Sequence, residues 1–152
     1  MKRWLWLGLA VAAFLVGRNG GTDIGRLQPV QVLMVSKAQE GVLLQTDTGD
    51  TGKGRNFELA LQNMKDTAPL EIFLDTADYL LLKDGGEDLL PELKGYLRPS
   101  CTLCQVKGEP DLTQVGEYLR SHPPKLTLNR WLAGEWGFSV LISREGRMEL
   151  VP

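Results

Sequence analysis

Apolar and polar residues alternate along Pro29–Ser36, and this pattern is typical of a β-strand that is mostly buried. A second strand-like stretch, Val42–Thr46, follows the polar turn Lys37–Gly41. Two short strands joined by a short polar turn favour antiparallel pairing. The beginning of the domain is therefore predicted to be a β-hairpin.

Three later stretches repeat apolar residues at helical spacing. Phe57–Ala68 has apolar residues on one side, and Asn56 precedes it as a candidate N-cap. Glu87–Leu97 carries a second one-sided stripe. A third stripe follows Asp111, which has capping-box spacing to Gln114. The chain is therefore predicted to contain three packed helices.

Short apolar runs between and after these helices predict further strands. They are Glu71–Leu74, Tyr79–Leu82, Ser100–Gly108 and a closing hairpin of Phe138–Ile142 with Met148–Val151. The predicted order is ββαββαβα, then a short helix and the C-terminal hairpin. This order indicates an α/β (α+β) domain with a single mixed β-sheet and about three packed helices. Ser100–Gly108 is expected to be the central strand, with the first two helices packed against it.

The N-terminus has the features of a targeting segment. Lys2 and Arg3 precede the apolar run Trp4–Val16, which is shorter than the roughly 20 residues of a full membrane span. Residues 1–17 are therefore predicted to be a signal peptide or a short membrane anchor, 18–28 a linker, and 29–152 a single domain. An exported domain, associated with the cell envelope or the membrane, is expected.

The overall charge excludes some classes of function. The 152 residues carry a formal net charge of −2, and they show no basic stripe with interleaved aromatic residues, so nucleic acid is not an expected partner. The single histidine, His122, lies at the end of a helical pattern and is expected to be solvated. A histidine-based zinc site or catalytic triad has too few components. No catalytic residue, metal site or cofactor is predicted.

A glycine-rich stretch, Asp47–Gly54, is predicted to be a loop between a strand and a helix, where a phosphate can meet helix N–H groups. Its spacing does not match a Walker loop, because Gly49 and Gly52 are too close and Lys53 precedes glycine. It contains Asp-Thr-Gly twice, but the copies are too close to form an aspartic-protease pair. The candidates for contact with a partner or an anion are Asp47, Gly49, Asp50, Gly52, Lys53 and Gly54.

Cys101 and Cys104 form a Cys-x-x-Cys motif and are the candidate redox site. Redox-active pairs usually lie at a helix N-terminus, which lowers the thiol pKa. Here the pair lies within a predicted strand, where residues three apart point to opposite faces. Two interpretations follow: small apolar fillers of a buried strand, or a thiol–disulfide site. Trp131 and Trp136 are expected to cover the core.

Much of the chain resembles the N-terminal domain of the Ger(x)C-type spore germination proteins, which are the lipoprotein C subunits of nutrient germinant receptors. The resembling segments are Gly54–Leu61, Ile72–Lys83, Asp88–Leu97, Arg98-Pro99-Ser100, Cys104–Gly108 and Asp111-Leu112. Two features depart from the family. No lipobox cysteine follows the apolar run, and Asp75-Thr76 replaces the family's Gly-His. The later domains of the family do not follow Pro152.

The resemblance implies an exported or membrane-tethered, non-enzymatic interaction or scaffold domain linked to spore germination or sporulation. The implied partners are envelope or membrane proteins, with germinant-receptor subunits among them. The resemblance supplies no catalytic residues. The alternative hypothesis is an exported thiol–disulfide protein that uses Cys101 and Cys104.

Overall fold

A mixed β-sheet of seven strands, with helices on both faces, forms the centre of the molecule. The computed structural model describes residues 27–38 and 41–152. The predicted targeting segment 1–17 and linker residues 18–26 lie outside the described residues. Leu27 and Gln28, predicted to end the linker, belong to the first strand instead.

The strands are β1 (Leu27–Pro29), β2 (Val32–Ala38), β3 (Gly41–Thr46), β4 (Thr51–Gly54), β5 (Glu71–Phe73), β6 (Tyr79–Lys83), β7 (Thr102–Lys107), β8 (Ser139–Arg144) and β9 (Arg147–Val151). The helices are α1 (Phe57–Thr67), α2 (Leu90–Leu93), α3 (Leu112–Ser121) and α4 (Leu128–Leu132). Two 3₁₀ turns cover Leu74–Thr76 and Gly86–Leu89. The predicted α/β class and the C-terminal hairpin are confirmed.

The order of strands in the main sheet is β4-β3-β2-β6-β7-β8-β9. The inner strands β2, β6, β7 and β8 are parallel, while β3, β4 and β9 add antiparallel strands at the two sides. Strands β1 and β5 form a separate parallel pair. We call the end of the sheet where the four parallel strands begin the amino edge, and the opposite end the carboxyl edge.

Both faces of the sheet are buried, which explains why its inner strands are nearly continuous apolar runs. On β2, Leu33 and Val35 point into one core, whereas Val32 and Met34 point into the other. The first face is covered by α1, α2 and α4, and the second face by α3. Each leucine fully buried in these cores contributes roughly 1.5–3 kcal/mol from the removal of apolar surface from water.

The ends of the helices follow the capping residues expected from the sequence. Asn56 is the N-cap of α1, and its Oδ1 accepts a hydrogen bond of 2.9 Å from the Leu59 N–H. Asp111 is the N-cap of α3 and accepts from the Thr113 N–H at 3.1 Å. These bonds satisfy backbone donors that a first helical turn leaves without an intrahelical partner.

The second predicted helix, Glu87–Leu97, is much shorter than its apolar stripe indicated. The chain forms a 3₁₀ turn and then the single α-turn Leu90–Leu93, with Pro91 in its first turn. A regular helix from Glu87 would press the Pro91 ring against the Glu87 carbonyl four residues earlier. The stripe still faces the core, because Leu89, Leu90, Leu93 and Leu97 are buried.

The prediction that Ser100–Gly108 is the central strand is also wrong in detail. Strand β6 occupies the middle position, and β7 lies next to it, between β6 and β8. Helix α1 packs over β3 and β4 rather than over β7. The glycine-rich stretch contains strand β4, which the pattern of apolar residues did not predict, and α1 packs on this strand.

Candidate functional site

The predicted glycine-rich loop is half turn and half strand. Residues 47–50 form the turn, and Thr51–Gly54 form β4, which pairs antiparallel with β3. Gly52 lies opposite Leu44, and Gly54 lies opposite Val42. The prediction of a continuous loop over Asp47–Gly54 is therefore wrong, because strand pairing with β3 orders its second half.

Two of these glycines allow α1 to lie unusually close to the sheet. A Cβ atom added to Gly52 would lie 2.2 Å from the Ala60 carbonyl oxygen, and one added to Gly54 would lie 2.3 Å from the Ala60 nitrogen. No side chain fits such gaps, so glycine is required at both positions for packing. The Asn63 Oδ1 also accepts a 2.9 Å hydrogen bond from the Lys53 N–H, which ties the helix to the strand.

The aspartates of the turn bind the protein's own backbone and hydroxyl groups. Asp47 Oδ1 accepts hydrogen bonds of 3.1 Å from the Gln31 and Val32 N–H groups. Asp50 Oδ2 accepts from the Thr48 hydroxyl at 2.7 Å. Gly49 adopts a φ of +90°, a conformation that favours glycine. The Asp47 carboxylate thus holds the start of β2, while the Asp50 carboxylate bonds within the turn itself. Of the six candidate residues, Lys53 has an exposed side chain and remains the clearest candidate for a partner contact.

Replacement of Asp47 by alanine is expected to lower the free energy of unfolding by about 1–3 kcal/mol, because two partly buried N–H groups lose their acceptor. Asp47→Asn keeps an oxygen in that position and should lose clearly less. Urea unfolding of both variants measures the difference. Equal stability of Asp47→Ala and the parent chain would contradict this structural role.

Cys101 and Cys104 lie on opposite faces of the sheet. Both are free thiols with no exposed surface. Cys101, just before β7, belongs to the core of the first face, and Cys104, within β7, belongs to the core of the second. The Cys104 Sγ donates a 3.2 Å hydrogen bond to the Ser139 carbonyl. The sheet itself therefore separates the two sulfur atoms.

Burial also changes the acidity of both thiols. Desolvation raises the pKa of Cys101 to about 12, and the Arg98 charge offsets only part of this effect. Desolvation likewise raises the pKa of Cys104 to about 12, and a backbone hydrogen bond from Leu141 offsets part of it. Since the thiolate is the nucleophile in thiol–disulfide exchange, both side chains have the character of core fillers rather than of redox groups.

The carboxyl edge carries a set of ion pairs that the sequence patterns did not single out. Lys37 Nζ lies 2.8 Å from Asp88 Oδ2. Lys83, at the end of β6, pairs with Glu109 and lies 3.9 Å from Asp84. The Lys83 side chain is only 15% exposed.

Lys83 and Glu109 lie at the carboxyl ends of two neighbouring parallel strands, β6 and β7. The connection after β6 runs through α2 on the first face, and the connection after β7 runs through α3 on the second. Here the pair of Lys83 with Glu109 bridges the two diverging connections. A sequence feature that could have indicated this ion pair is the position of Lys83 at the carboxyl end of an apolar run.

A shallow groove lined by both apolar and polar residues runs beside the second half of α1. It consists of two adjoining depressions of about 500 and 320 Å³ that share Lys65 and Ile72. Three large apolar side chains around it are exposed, Leu70 and Phe73 at 42% and Tyr96 at 41%. We call this surface the α1 groove.

The other prominent apolar feature is Trp136, in the loop between α4 and β8. It is 78% exposed, so the expectation that it covers the core is wrong. Trp131, by contrast, is partly buried against the core of the first face. The two indoles are close neighbours in sequence, yet only one of them reaches the core.

Within residues 27–38 and 41–152, no three or more histidine, cysteine, aspartate or glutamate side chains are grouped as a metal site would require. None of the helices in this part of the chain has the length and hydropathy needed to span a bilayer. No protein-family model, curated protein or solved structure matches the chain.

Proposed function

We propose that this chain is a non-enzymatic interaction domain of the cell envelope that binds another envelope protein through the α1 groove. The observation that carries this proposal is the exposure of Leu70, Phe73 and Tyr96 around one concave surface. Large apolar side chains grouped on a surface are characteristic of protein-binding sites.

The composition of the α1 groove supports a protein partner. Phe73 and Tyr96 supply aromatic side chains, which are enriched at interfaces and among the residues that contribute most to binding. Charged residues of both signs, Lys65, Glu71 and Asp75, line the same depressions. An apolar centre with a polar rim is the usual composition of a non-obligate interface.

Contacts with buried residues hold the walls of the groove in place. The edge-to-face contact of Tyr96 with the buried Phe57 ring, with centroids 5.1 Å apart, supports one wall. Ile72 is buried beneath the opposite side. A surface that is ordered before binding loses less conformational entropy when a partner arrives.

The N-terminal sequence and the family resemblance suggest where the domain acts. The basic start and the apolar run Trp4–Val16 support export and a tether at the membrane. The resemblance to Ger(x)C-type proteins covers Ile72–Lys83, which contributes Phe73 to the groove. We therefore propose that the partner is a membrane subunit of a germinant receptor.

The test uses the full chain and purified germinant-receptor membrane subunits in lipid nanodiscs. A photoreactive residue at position 73 is expected to crosslink to a subunit, while one at position 59 is expected to remain free. Leu59 is a matched control because it is 52% exposed and lies at the other end of α1. Phe73→Ser should weaken binding at least tenfold, and Leu59→Ser should leave binding unchanged.

The possible outcomes distinguish an error in the proposed binding surface from an error in the proposed partner. Crosslinking from position 59 at the same yield as from position 73 would contradict the α1 groove as the binding surface. Absence of any complex with the receptor subunits would overturn the link to germination.

A further inference from the structure

Trp136 is the most exposed large apolar residue among the described residues, and Leu132 lies four residues before it. Trp136 is 78% exposed and Leu132 is 50% exposed. They lie at the end of α4 and in the loop that follows. We call Leu132–Gly137 the tryptophan loop.

The tryptophan loop is held in a defined shape. The Gly134 N–H donates to the Trp131 carbonyl at 2.9 Å, and the Glu135 N–H donates to the Arg130 carbonyl at 3.0 Å. Glu135 Oε2 also accepts a hydrogen bond of 2.8 Å from Arg130 Nε and lies 2.7 Å from Arg130 Nη2. Gly134 and Gly137 have φ values of +89° and +121°, which side chains rarely adopt. These bonds and glycine conformations form an ordered turn from which Trp136 extends into solvent.

The position of this loop in the sheet indicates what it contacts. Trp136 lies three residues before β8 and therefore at the amino edge. Leu70 and Phe73, on the segment leading to β6, share that edge. So does Val151, which is paired with Val140 near the start of β8. The amino edge thus carries five of the seven large exposed apolar residues found among the described residues.

The N-terminal segment joins the domain at the amino edge. The described part of the chain begins at Leu27 in β1, which leads directly into the amino end of β2. Ten residues, 17–26, separate the apolar run Trp4–Val16 from this point. Fully extended, they would reach about 35 Å, so a bilayer that holds the apolar run lies within range of the amino edge.

We propose that the tryptophan loop contacts the bilayer surface and turns the amino edge toward the membrane. This inference rests on the tethered location in the proposed function, but not on the α1 groove or on the identity of a protein partner. Tryptophan is favoured at the membrane–water interface, where its ring is apolar and its N–H remains hydrated. Arg130 and Glu135 at the base of the loop are paired with each other, which lowers the cost of bringing these two charges to the bilayer surface.

The shape of the loop favours lipid over a protein partner. A protein interface usually holds its tryptophan in a well-packed, desolvated pocket, whereas Trp136 is 78% exposed. The tryptophan loop is instead a projection suited to the headgroup region. The carboxyl edge, which carries the pairs of Lys37 with Asp88 and Lys83 with Glu109, would then face away from the membrane, while the pair of Asp78 with Arg98 lies at the amino edge.

The test follows the fluorescence of Trp136 in the full chain reconstituted into phosphatidylcholine vesicles. Trp4, Trp6 and Trp131 are replaced by phenylalanine, so that Trp136 is the only emitter. The Trp136 emission maximum in vesicles is expected to lie at a shorter wavelength than that of the same protein in detergent-free aqueous buffer. Brominated phosphatidylcholine should quench at least half of it, and aqueous acrylamide should quench it at least threefold less.

A matched control places the only indole at the carboxyl edge, by adding Leu59→Trp and Trp136→Phe to the same background. This indole should remain accessible to acrylamide and should not respond to brominated lipid. Trp136 emission that stays fully accessible to acrylamide in vesicles would overturn the proposal. Shielding that begins only when receptor subunits are added would also overturn it and would assign the loop to a protein interface. Neither result bears on crosslinking at the α1 groove.

Discussion

Replacement of Gly52 by alanine is expected to lower the free energy of unfolding by about 3 kcal/mol, the upper end of the usual cost of overpacking. The added Cβ would lie 2.2 Å from the Ala60 carbonyl oxygen and 2.6 Å from the Met64 Cβ. The conflict is with helix backbone, so no rotation of a flexible side chain relieves it. Relief requires α1 to move away from β4, which would also open the core beneath Phe57 and Met64.

Gly54→Ala should have a similar effect, because its Cβ would lie 2.3 Å from the Ala60 nitrogen. Gly95→Ala is the matched control, since a methyl group added there would meet no other atom within 4 Å. Urea unfolding of the three variants provides the comparison. A loss below about 1 kcal/mol for both Gly52→Ala and Gly54→Ala would show that the close contact of α1 with β4 is not a source of stability.

Native Cys101 and Cys104 are expected to react with iodoacetamide at least about a thousandfold more slowly than the same thiols in denaturant. Burial raises both pKa values from 9.0 to about 12, so at pH 8 the thiolate fraction falls by about three powers of ten. Burial also blocks the reagent itself. Labelling would then proceed only through unfolding, and mass spectrometry of quenched time points measures its rate.

An exposed thiol introduced by Ser121→Cys serves as the control, because Ser121 is exposed at the end of α3. It should react at the ordinary rate in the same sample. Rapid native labelling of Cys101 or Cys104, lost after mild oxidation, would instead support the thiol–disulfide alternative. Labelling of both cysteines only after denaturation would rule that alternative out.

The structure gives several candidate site residues structural roles that their sequence patterns did not indicate. The contact of the glycine-rich stretch with an anion or a partner stays a prediction; within the fold, Gly52 and Gly54 serve the packing of α1, and Asp47 holds the start of β2. Its glycines carry no apolar pattern from which a strand could be predicted. The α1 groove and the tryptophan loop were not identified from sequence, because exposure depends on what the rest of the chain leaves uncovered.

The sequence by itself determined the local elements of this protein. Alternation predicted the strands of both hairpins, helical spacing predicted α1 and α3, and Asn56 and Asp111 marked where those helices begin. These features depend on neighbours within a few residues, so periodicity and capping chemistry are sufficient to reveal them.

Only the tertiary structure decided which strand is central, which thiol faces which core, and which tryptophan remains in water. Each of these depends on segments far apart in sequence. Strand β6 is central because β2 and β7 pair with its two sides. Helix α1 packs on β4 rather than on β7 because Gly52 and Gly54 leave room for the helix backbone. Trp131 reaches the core of the first face while Trp136 does not, because α4 directs one indole inward and the turn at Gly134 directs the other outward.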